Sequence, residues 1–550
     1  MPWQSIKDFT PGIREITSPN YAPGTLQSTG TFRCYALPEG SLAPLPRRTN
    51  NYFFAPDDDL PSPDLWSSPL YISGVTARNP VFAPGQQLDG VDQNNTELLL
   101  GLEYFYSPGF KRYDAWRLTR EFDVPGFDLV WREENNGTQD PTVRPKRMSF
   151  THGRTNSAAP TAAGPIATAF CVDGRVQMYP DDTSTTTDST RYLPGDREED
   201  ASAGGLVSPD FIVGHQGRVV IFPLALLGAG AFNVVYANNE AFYWTDSNDW
   251  TTKDALVQFF GMVVGWESPT GYQVMQSLDA DQLLLLKTRG GGVILQGDLD
   301  GELRADRHPS IRSPGLSMNN GTYSPMGLVY PVDGSGVWIW GGGDRAENLT
   351  PTMPRDFWRP EPDPFYGHGF TQCDTFGDWV ILPNNYLLDL QPETPALWRL
   401  EDPEDMVIHK MVSDWRNRFL YTCPESIENL GAAPVSEFDA EYPASSYQAR
   451  LHPLPGSLNE QIELYEVGVV ATGTGRITVT ARTRQDTAGT VATFDVADDR
   501  YPVRLTHGLN VRGSHIEFTV NAAGASDTSP APTLHELLWE SNVTTPEPRF

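Results

Sequence analysis

The sequence predicts an all-β protein: a β-propeller of about six to eight blades, with an extended N-terminal arm before it and a β-sandwich after it. Three observations lead there. Glycine and proline number 49 and 47 in 550 residues, well above the average of about 12% for the two together, and so much backbone punctuation favours short elements joined by turns. Apolar runs of roughly strand length recur in pairs across turn residues, as in hairpins. Helical periodicity is scarce, and ALVQFFGMVVGW, Ala255 to Trp266, is the one ambiguous run.

Residues 1–50 read as the arm. Pro2, Pro11, Pro19, Pro23, Pro38, Pro44 and Pro46 prevent long helices and central strands, because proline lacks the N–H a ladder needs. Short runs such as TFRCYAL, Thr31 to Leu37, are expected to pair at an edge.

Residues 51–440 read as the propeller. Hairpin turns are expected at Asn238-Asn239, Asp279-Ala280-Asp281, Asp333 to Gly336 and Asn384-Asn385. LLLLKTRGGGVILQGD, Leu283 to Asp298, is the clearest hairpin: a buried strand, a turn over Arg289 to Gly292, and a partner strand. A phosphate loop would place lysine after the glycines and open a helix; here the lysine precedes them. The apolar stretch Val219 to Ala237 is close to membrane-spanning length, but Pro223, Gly228, Gly230 and Asn233 interrupt it, so two strands are expected rather than a spanning helix. Polar Tyr179 to Gly205 and proline-rich Phe357 to Phe370 read as connections.

Residues 441–550 read as the sandwich. In RITVTARTR, Ile477, Val479 and Ala481 alternate with Thr478, Thr480 and Arg482, and HIEFTV repeats the pattern with Ile516, Phe518 and Val520. Half-buried antiparallel strands alternate in this way.

The net charge of −30 disfavours nonspecific attraction to nucleic acid or anionic membranes. Cys34, Cys171, Cys373 and Cys423 are scattered without a CxxC pair, which points to reduced thiols rather than a disulfide framework or metal site. No signal peptide is read at the N-terminus.

No catalytic, cofactor-binding or metal-binding residue is assigned, and no enzyme activity is expected. GxSxG, HExxH, Walker and dinucleotide motifs are missing from the sequence, and so is the chemistry they carry. The Asp-x-Asp-Gly start of DLDGEL, Asp298 to Leu303, lacks the distal glutamate of a calcium loop and reads as a turn. The carboxylates of PDDDLPSPD, Pro56 to Asp64, and the lone His368 read as solvated loops. PVDGSGVWIW has Asp333 and Trp338, but Ser335 where a sialidase-type box has glycine. Trp244, Trp250, Trp338, Trp340, Trp358, Trp379 and Trp398 are either packing residues or sugar platforms, and the packing reading is preferred.

The order of elements resembles tailed-bacteriophage virion proteins built on a β-propeller. The resemblance lies in the opening DFTPGI and PNYAPGTLQSTGTFRCYALPEGSLAPLP, in NVVYANNEAFYWTDSNDWTT, and above all in YQVMQSLDADQLLLLKTRGGGVILQGDL and GLVYPVDGSGVWIWGGG. It is strongest over residues 205–345. It implies a structural component of the tail, of nozzle, hub or adaptor type. Its partners would be copies of itself in a ring, in some relatives six-fold, and other tail or connector proteins. It would be folded in the host cytoplasm and located in the virion, with no cofactor and only passing contact with DNA. A negative lumen would keep the duplex from sticking, and Arg14, Arg47, Arg48 and Lys111 are expected at contacts between copies. The alternatives are a carbohydrate-binding or carbohydrate-cleaving propeller, such as a receptor-binding protein or glycoside hydrolase, and a cell-surface scaffold.

Overall fold

The structure is a computed structural model, and it describes residues 3–14, 24–54, 70–78, 97–107, 110–119, 126–133, 148–155, 166–172, 174–179, 190–193, 206–227, 241–247, 249–251, 258–259, 272–279, 282–287, 292–299, 301, 303–308, 322–324, 326–332, 336–341, 346–349, 374–382, 385–391, 395–402, 410–414, 418–424, 426–427, 432–454 and 461–544. Among them every regular element is a strand.

The chain opens with β1 (Gln4–Ile6), β2 (Cys34–Ala36), β3 (Leu42–Pro44) and β4 (Pro46–Tyr52). A meander follows: β5 (Leu70–Arg78), β6 (Glu97–Ser107), β7 (Phe110–Thr119) and β8 (Gly126–Arg132). The next four sheets are each made of four consecutive antiparallel strands. They are β9 (Ser149–Arg154), β10 (Ile166–Val172), β11 (Arg175–Tyr179) and β12 (Arg191–Tyr192); then β13 (Leu206–His215), β14 (Arg218–Leu227), β15 (Ala241–Trp244) and β16 (Gln258–Phe259). After these come β17 (Tyr272–Asp279), β18 (Gln282–Lys287), β19 (Gly292–Gly297) and β20 (Leu303–His308); then β21 (Thr322–Ser324), β22 (Gly327–Val332), β23 (Gly336–Trp340) and β24 (Glu347–Asn348). Such meanders are propeller blades. As free-standing sheets of consecutive strands they number four among the described residues, fewer than the six to eight expected.

The remaining meanders draw in strands from far along the chain. Strands β25 (Asp374–Phe376), β26 (Trp379–Leu382), β27 (Tyr386–Asp389) and β28 (Ala396–Arg399) continue through β2 and β3 into the C-terminal sheet. Strands β29 (Lys410–Ser413), β30 (Phe419–Cys423) and β32 (Val435–Pro443) take β4 as their fourth strand, and β31 (Ser426–Ile427) adds to β5. The first strand of each meander lies against the first strand of the next: β5 on β9, β9 on β13, β13 on β17, β17 on β21, β21 on β25, β25 on β29, and β29 back on β5.

Middle strands lie between neighbouring sheets, so both faces are covered. Accordingly β11, β27, β28 and β30 are buried at every position; β27, β28 and β30 are mostly apolar, whereas β11 buries Arg175 and Gln177 between apolar residues. The expected hairpin of β18 and β19 is present, with Leu286 opposite Gly292. Turns also fall where expected after Asp279, Val332 and Leu382, while Asn238-Asn239 lies outside the described residues. The apolar stretch from Val219 begins within β14 and leaves the described residues at 228. No helix among the described residues is long and apolar enough to cross a membrane. Of Ala255 to Trp266, only β16 is described.

The C-terminal residues form β33 (Ser446–Arg450), β34 (Gln461–Arg482), β35 (Thr490–Gly513), β36 (Glu517–Gly524) and β37 (Thr533–Thr544). The first half of β34 pairs with β37 and the second half with β36. Between the halves the register slips at Ala471/Gly473 against β35. Gly473 and Gly475 there have φ of +111° and +156°, a conformation that glycine adopts without a Cβ penalty. The two halves face one another, because Phe518 of β36 meets Trp539 of β37 at 5.9 Å between ring centroids. Ile477, Val479, Ala481, Ile516, Phe518 and Val520 are all fully buried.

The arm does not pair at an edge, as expected from its prolines, but lies inside the largest sheet. Cys34 pairs with Arg399 on one side and Leu42 with Leu534 on the other. The prolines sit where a ladder tolerates them: Pro38 lies beyond β2, Pro44 ends β3 and Pro46 opens β4. One core runs through Phe9, Ile13 and Leu26 of the arm, Leu387 and Trp398 of β27 and β28, and Val469 and Phe518 of the C-terminal strands.

Candidate functional site

Several polar side chains among the described residues join strands and sheets to one another. The Ile212 amide donates to Ser149 Oγ at 3.1 Å. Trp250 donates through its amide to Thr155 Oγ1 at 3.1 Å and through Nε1 to the Gly217 carbonyl at 2.9 Å. Gln216 bonds both the Gly297 carbonyl and the Leu299 amide of the following sheet, at 3.0 and 2.9 Å. Arg175 on β11 meets Glu133, beyond β8, at 3.5 Å with both side chains 3% exposed. Removing one member of such a buried pair leaves an uncompensated charge.

The closing strand is held by one carboxylate. Glu437 of β32 is fully buried and accepts hydrogen bonds from Thr49 Oγ1 at 2.8 Å, Asn50 Nδ2 at 2.9 Å and Tyr52 Oη at 2.6 Å. All three donors lie on β4. Three hydrogen bonds to one buried acceptor fix the register of a strand whose partner is encoded some 385 residues away.

Three carboxyl groups have pKa values above the ordinary carboxylate range. Burial raises Asp114, against the opposing hydrogen bonds and charge of Arg132 and the Tyr104 hydroxyl. Burial pushes Asp374 up to about 6 even though its carboxylate accepts amide hydrogen bonds from Ser413 and Thr375. Asp389 is raised by burial first and by the neighbouring charge of Asp378. Gln391 sits between these last two, with its amide on Asp389 and its side chain on Asp378. Asp114 and Asp374 are each engaged by internal donors, Asp374 across the β25–β29 junction.

One constellation escaped sequence reasoning. Thr76 Oγ1 lies 2.7 Å from His152 Nε2, and His152 Nδ1 lies 2.9 Å from Thr168 Oγ1. A hydroxyl beside an imidazole is half of a nucleophile–base pair, but the group that orients the ring here is a neutral hydroxyl rather than a carboxylate. The chain links β5, β9 and β10, which suits a joint between sheets. No sequence signal could have found it, since the residues are 76 and 16 positions apart.

Among the described residues a cleft with a volume of about 300 Å³ lies beside the closing strand. It is lined by Arg33, Arg47, Arg48, Glu401, Ser445, Ser446 and Asp527. Arg33 Nε and Nη2 both reach Glu401 Oε2, at 2.6 and 2.5 Å.

Trp244, Trp250, Trp340 and Trp398 are buried, Trp338 is partly buried, and Trp379 packs edge-on to Tyr35 at 5.2 Å; Trp358 lies outside the described residues. The Asp298 carbonyl accepts from the Gly301 amide at 2.9 Å, a tight turn. No group of metal-ligating residues is assembled among the described residues. His368, Asp333, Ser335, Cys373 and Pro56 to Asp64 lie outside them. Cys34, Cys171 and Cys423 are free and buried, and burial raises the Cys423 thiol to about 12. Arg14, expected at a contact between copies, instead points inward: it is 9% exposed and its guanidinium donates to the carbonyls of Pro11 and Pro395. Arg48 is exposed and Arg47 half-buried; the Lys111 side chain is outside the description.

No family model and no curated protein matches the chain. Among solved structures, a chain of the mitotic checkpoint complex is 10% identical with a TM-score of 0.36, over 70% of this chain and 100% of that one. An exo-β-1,3-galactanase from Phanerochaete chrysosporium is 11% identical with a TM-score of 0.24, over 86% of this chain and 100% of that one. A glycoside hydrolase family 43 arabinoxylan arabinofuranohydrolase from Bacillus subtilis is 8% identical with a TM-score of 0.26, over 90% and 99%. At these values none of them bears on the chemistry of this chain.

Proposed function

We propose that this chain is a structural component of a tailed-bacteriophage particle, a nozzle, hub or minor tail protein that assembles as an oligomeric ring around the DNA-ejection channel. In this reading the seven meanders whose first strands meet in a closed circuit are seven blades, and the bent β34 with β33, β35, β36 and β37 is a sandwich. Partners are further copies of the chain and other tail or connector proteins. It folds in the host cytoplasm, carries no cofactor and has no catalytic role.

The observation that carries the proposal is the use made of polar groups within the ring. Glu437, Asp374, Gln216 and Trp250 join strands and sheets to one another, and the arm is built into both the ring and the C-terminal sheet. Those features favour a rigid building block, and the sequence resemblance supplies the particle. The experiment is native mass spectrometry of the full chain at several salt concentrations. The reading expects one closed oligomer of fixed copy number, changing little with salt because screening weakens both repulsion and cross-subunit pairs. A 60.9 kDa monomer that hydrolyses polysaccharide would overturn it.

A further inference from the structure

In a chain of net charge −30, three of the nine residues lining the 300 Å³ cleft are arginines, against two acidic residues, Glu401 and Asp527. They come from two stretches of the arm, Arg33 before β2 and Arg47 and Arg48 on β4. Arg47 and Arg48 are neighbours on β4, and adjacent strand residues normally point to opposite faces. Here Arg48 lies opposite Phe438 and Arg47 opposite Asp439 of β32, the ladder slips on either side of this pair, and both arginines line the cleft. Bulges of this kind re-aim side chains and are frequent beside functional sites. Arg33 has φ of +59°, an uncommon backbone conformation for a residue with a side chain.

The donors in the cleft are held in place in different ways. Glu401 fixes Arg33 through two guanidinium nitrogens. The Arg47 guanidinium makes one long hydrogen bond, 3.4 Å to the Asp527 carbonyl. Ser445 and Ser446 are anchored by their backbones, the Ser445 carbonyl accepting from Gly524 at 2.7 Å and Ser446 pairing with Ala523. The hydroxyls of these two serines have no hydrogen-bond partner among the described residues. A guanidinium fork and hydroxyl donors around one space match the oxygens of a tetrahedral anion. The volume is at the lower end of small-molecule sites, about 300–1,000 Å³.

We infer that this cleft is a binding site for a phosphate or sulfate group carried on a body of monosaccharide size, with Arg47, Arg48, Ser445 and Ser446 as its donors and Arg33 held behind them by Glu401. The site does not depend on the virion reading and could serve it or another function equally.

The test is isothermal titration of the full chain with inorganic phosphate, sodium sulfate, glucose 6-phosphate and glucose, all at one ionic strength. Saturable binding of glucose 6-phosphate at one site, with glucose inert, is expected; sulfate competing with it would place recognition in the tetrahedral oxyanion, and sulfate failing to compete would narrow the ligand to phosphate. Arg47→Gln should weaken binding about tenfold or more, the loss of one charge-assisted bond, and Ser446→Ala several-fold. Arg304→Gln, which removes an arginine that is 76% exposed on another sheet, should leave it unchanged. Equal melting temperatures without ligand would show that the variants are folded. Non-saturating heats for every anion, binding of glucose as tight as its phosphate, or wild-type titrations for both Arg47→Gln and Ser446→Ala would overturn the assignment.

Discussion

Tyr52 donates its hydroxyl to the Glu437 carboxylate at 2.6 Å, joining the strand that ends the arm to the last meander of the ring. Thr49 and Asn50 donate to the same carboxylate, so three donors of β4 converge on one buried acceptor. Replacing Glu437 with alanine removes the carboxylate on which all three converge. We expect a loss of roughly 3 kcal/mol, with the amides of β4 becoming the first in the ring to exchange. Tyr52→Phe removes one donor and should cost about a third of that. Hydrogen exchange read by mass spectrometry over residues 46–52 checks both, and unchanged protection in Glu437→Ala would refute the clasp.

The junction of β25 and β29 should be sensitive to pH. Asp374 in the folded chain has its pKa pushed up to about 6 from 3.8, so the folded state holds this proton more firmly than the unfolded chain. Its contribution to stability is complete below pH 3.8 and is lost as pH rises through 6. Asp374→Asn stays neutral throughout. The melting temperature of the variant relative to wild type should therefore rise between pH 4 and pH 7.5. A difference that is constant over this range would mean that Asp374 titrates normally.

The arm and the C-terminal strands should unfold together. Phe9 and Phe518 are both fully buried in one core, and β1 pairs with β37 opposite Trp539. Phe9→Ala and Phe518→Ala are each expected to cost about 3–5 kcal/mol and to expose the same proteolytic sites in β34 to β37. The alternating strands of residues 441–550 suggest a unit that folds alone, but the arm supplies part of its core. A fragment starting at Glu441 should accordingly be less stable than the same fragment with residues 1–45 added in trans. If the peptide has no effect, the shared core contributes nothing.

The bend in β34 depends on glycine. A Cβ on Gly475 would stand 2.2 Å from the Ala523 carbonyl oxygen, and the residue has φ of +156°. Gly475→Ala should destabilise the C-terminal strands by at least about 2 kcal/mol. Gly508→Ala, where a Cβ would meet nothing within 4 Å, is the matched control in the neighbouring strand. Equal denaturant midpoints for the two variants would contradict the bend as described.

What could be read from the sequence was local. The β18–β19 hairpin follows from an apolar run, a glycine turn and a second run, and the burial of Ile477, Val479 and Ala481 follows from strict alternation. Trp340 of β23 and Trp398 of β28 are in the core because their sequence surroundings are apolar strands. The placement of the arm could not be read in this way. Phe32 bridges to Gln448, and Cys34 pairs with Arg399, through single ladder positions that leave no periodicity. The cleft was equally hidden: Arg33, Glu401 and Ser446 come from three distant stretches of the chain, and Arg47 and Arg48 join them through the pairing of β4 with β32. The meander count was hard to read for the same reason, since β4 and β31 complete sheets far from their own place in the chain.

The central claim is that this chain is a structural part of a virus particle. Density-gradient purification of nuclease-resistant, DNA-filled particles from the source culture, followed by quantitative mass spectrometry of their proteins, tests it most directly. The account predicts this chain in those particles at a fixed multiple-copy ratio to the other tail proteins. Its absence from the particles, with the chain recovered only as free monomer, would contradict the account.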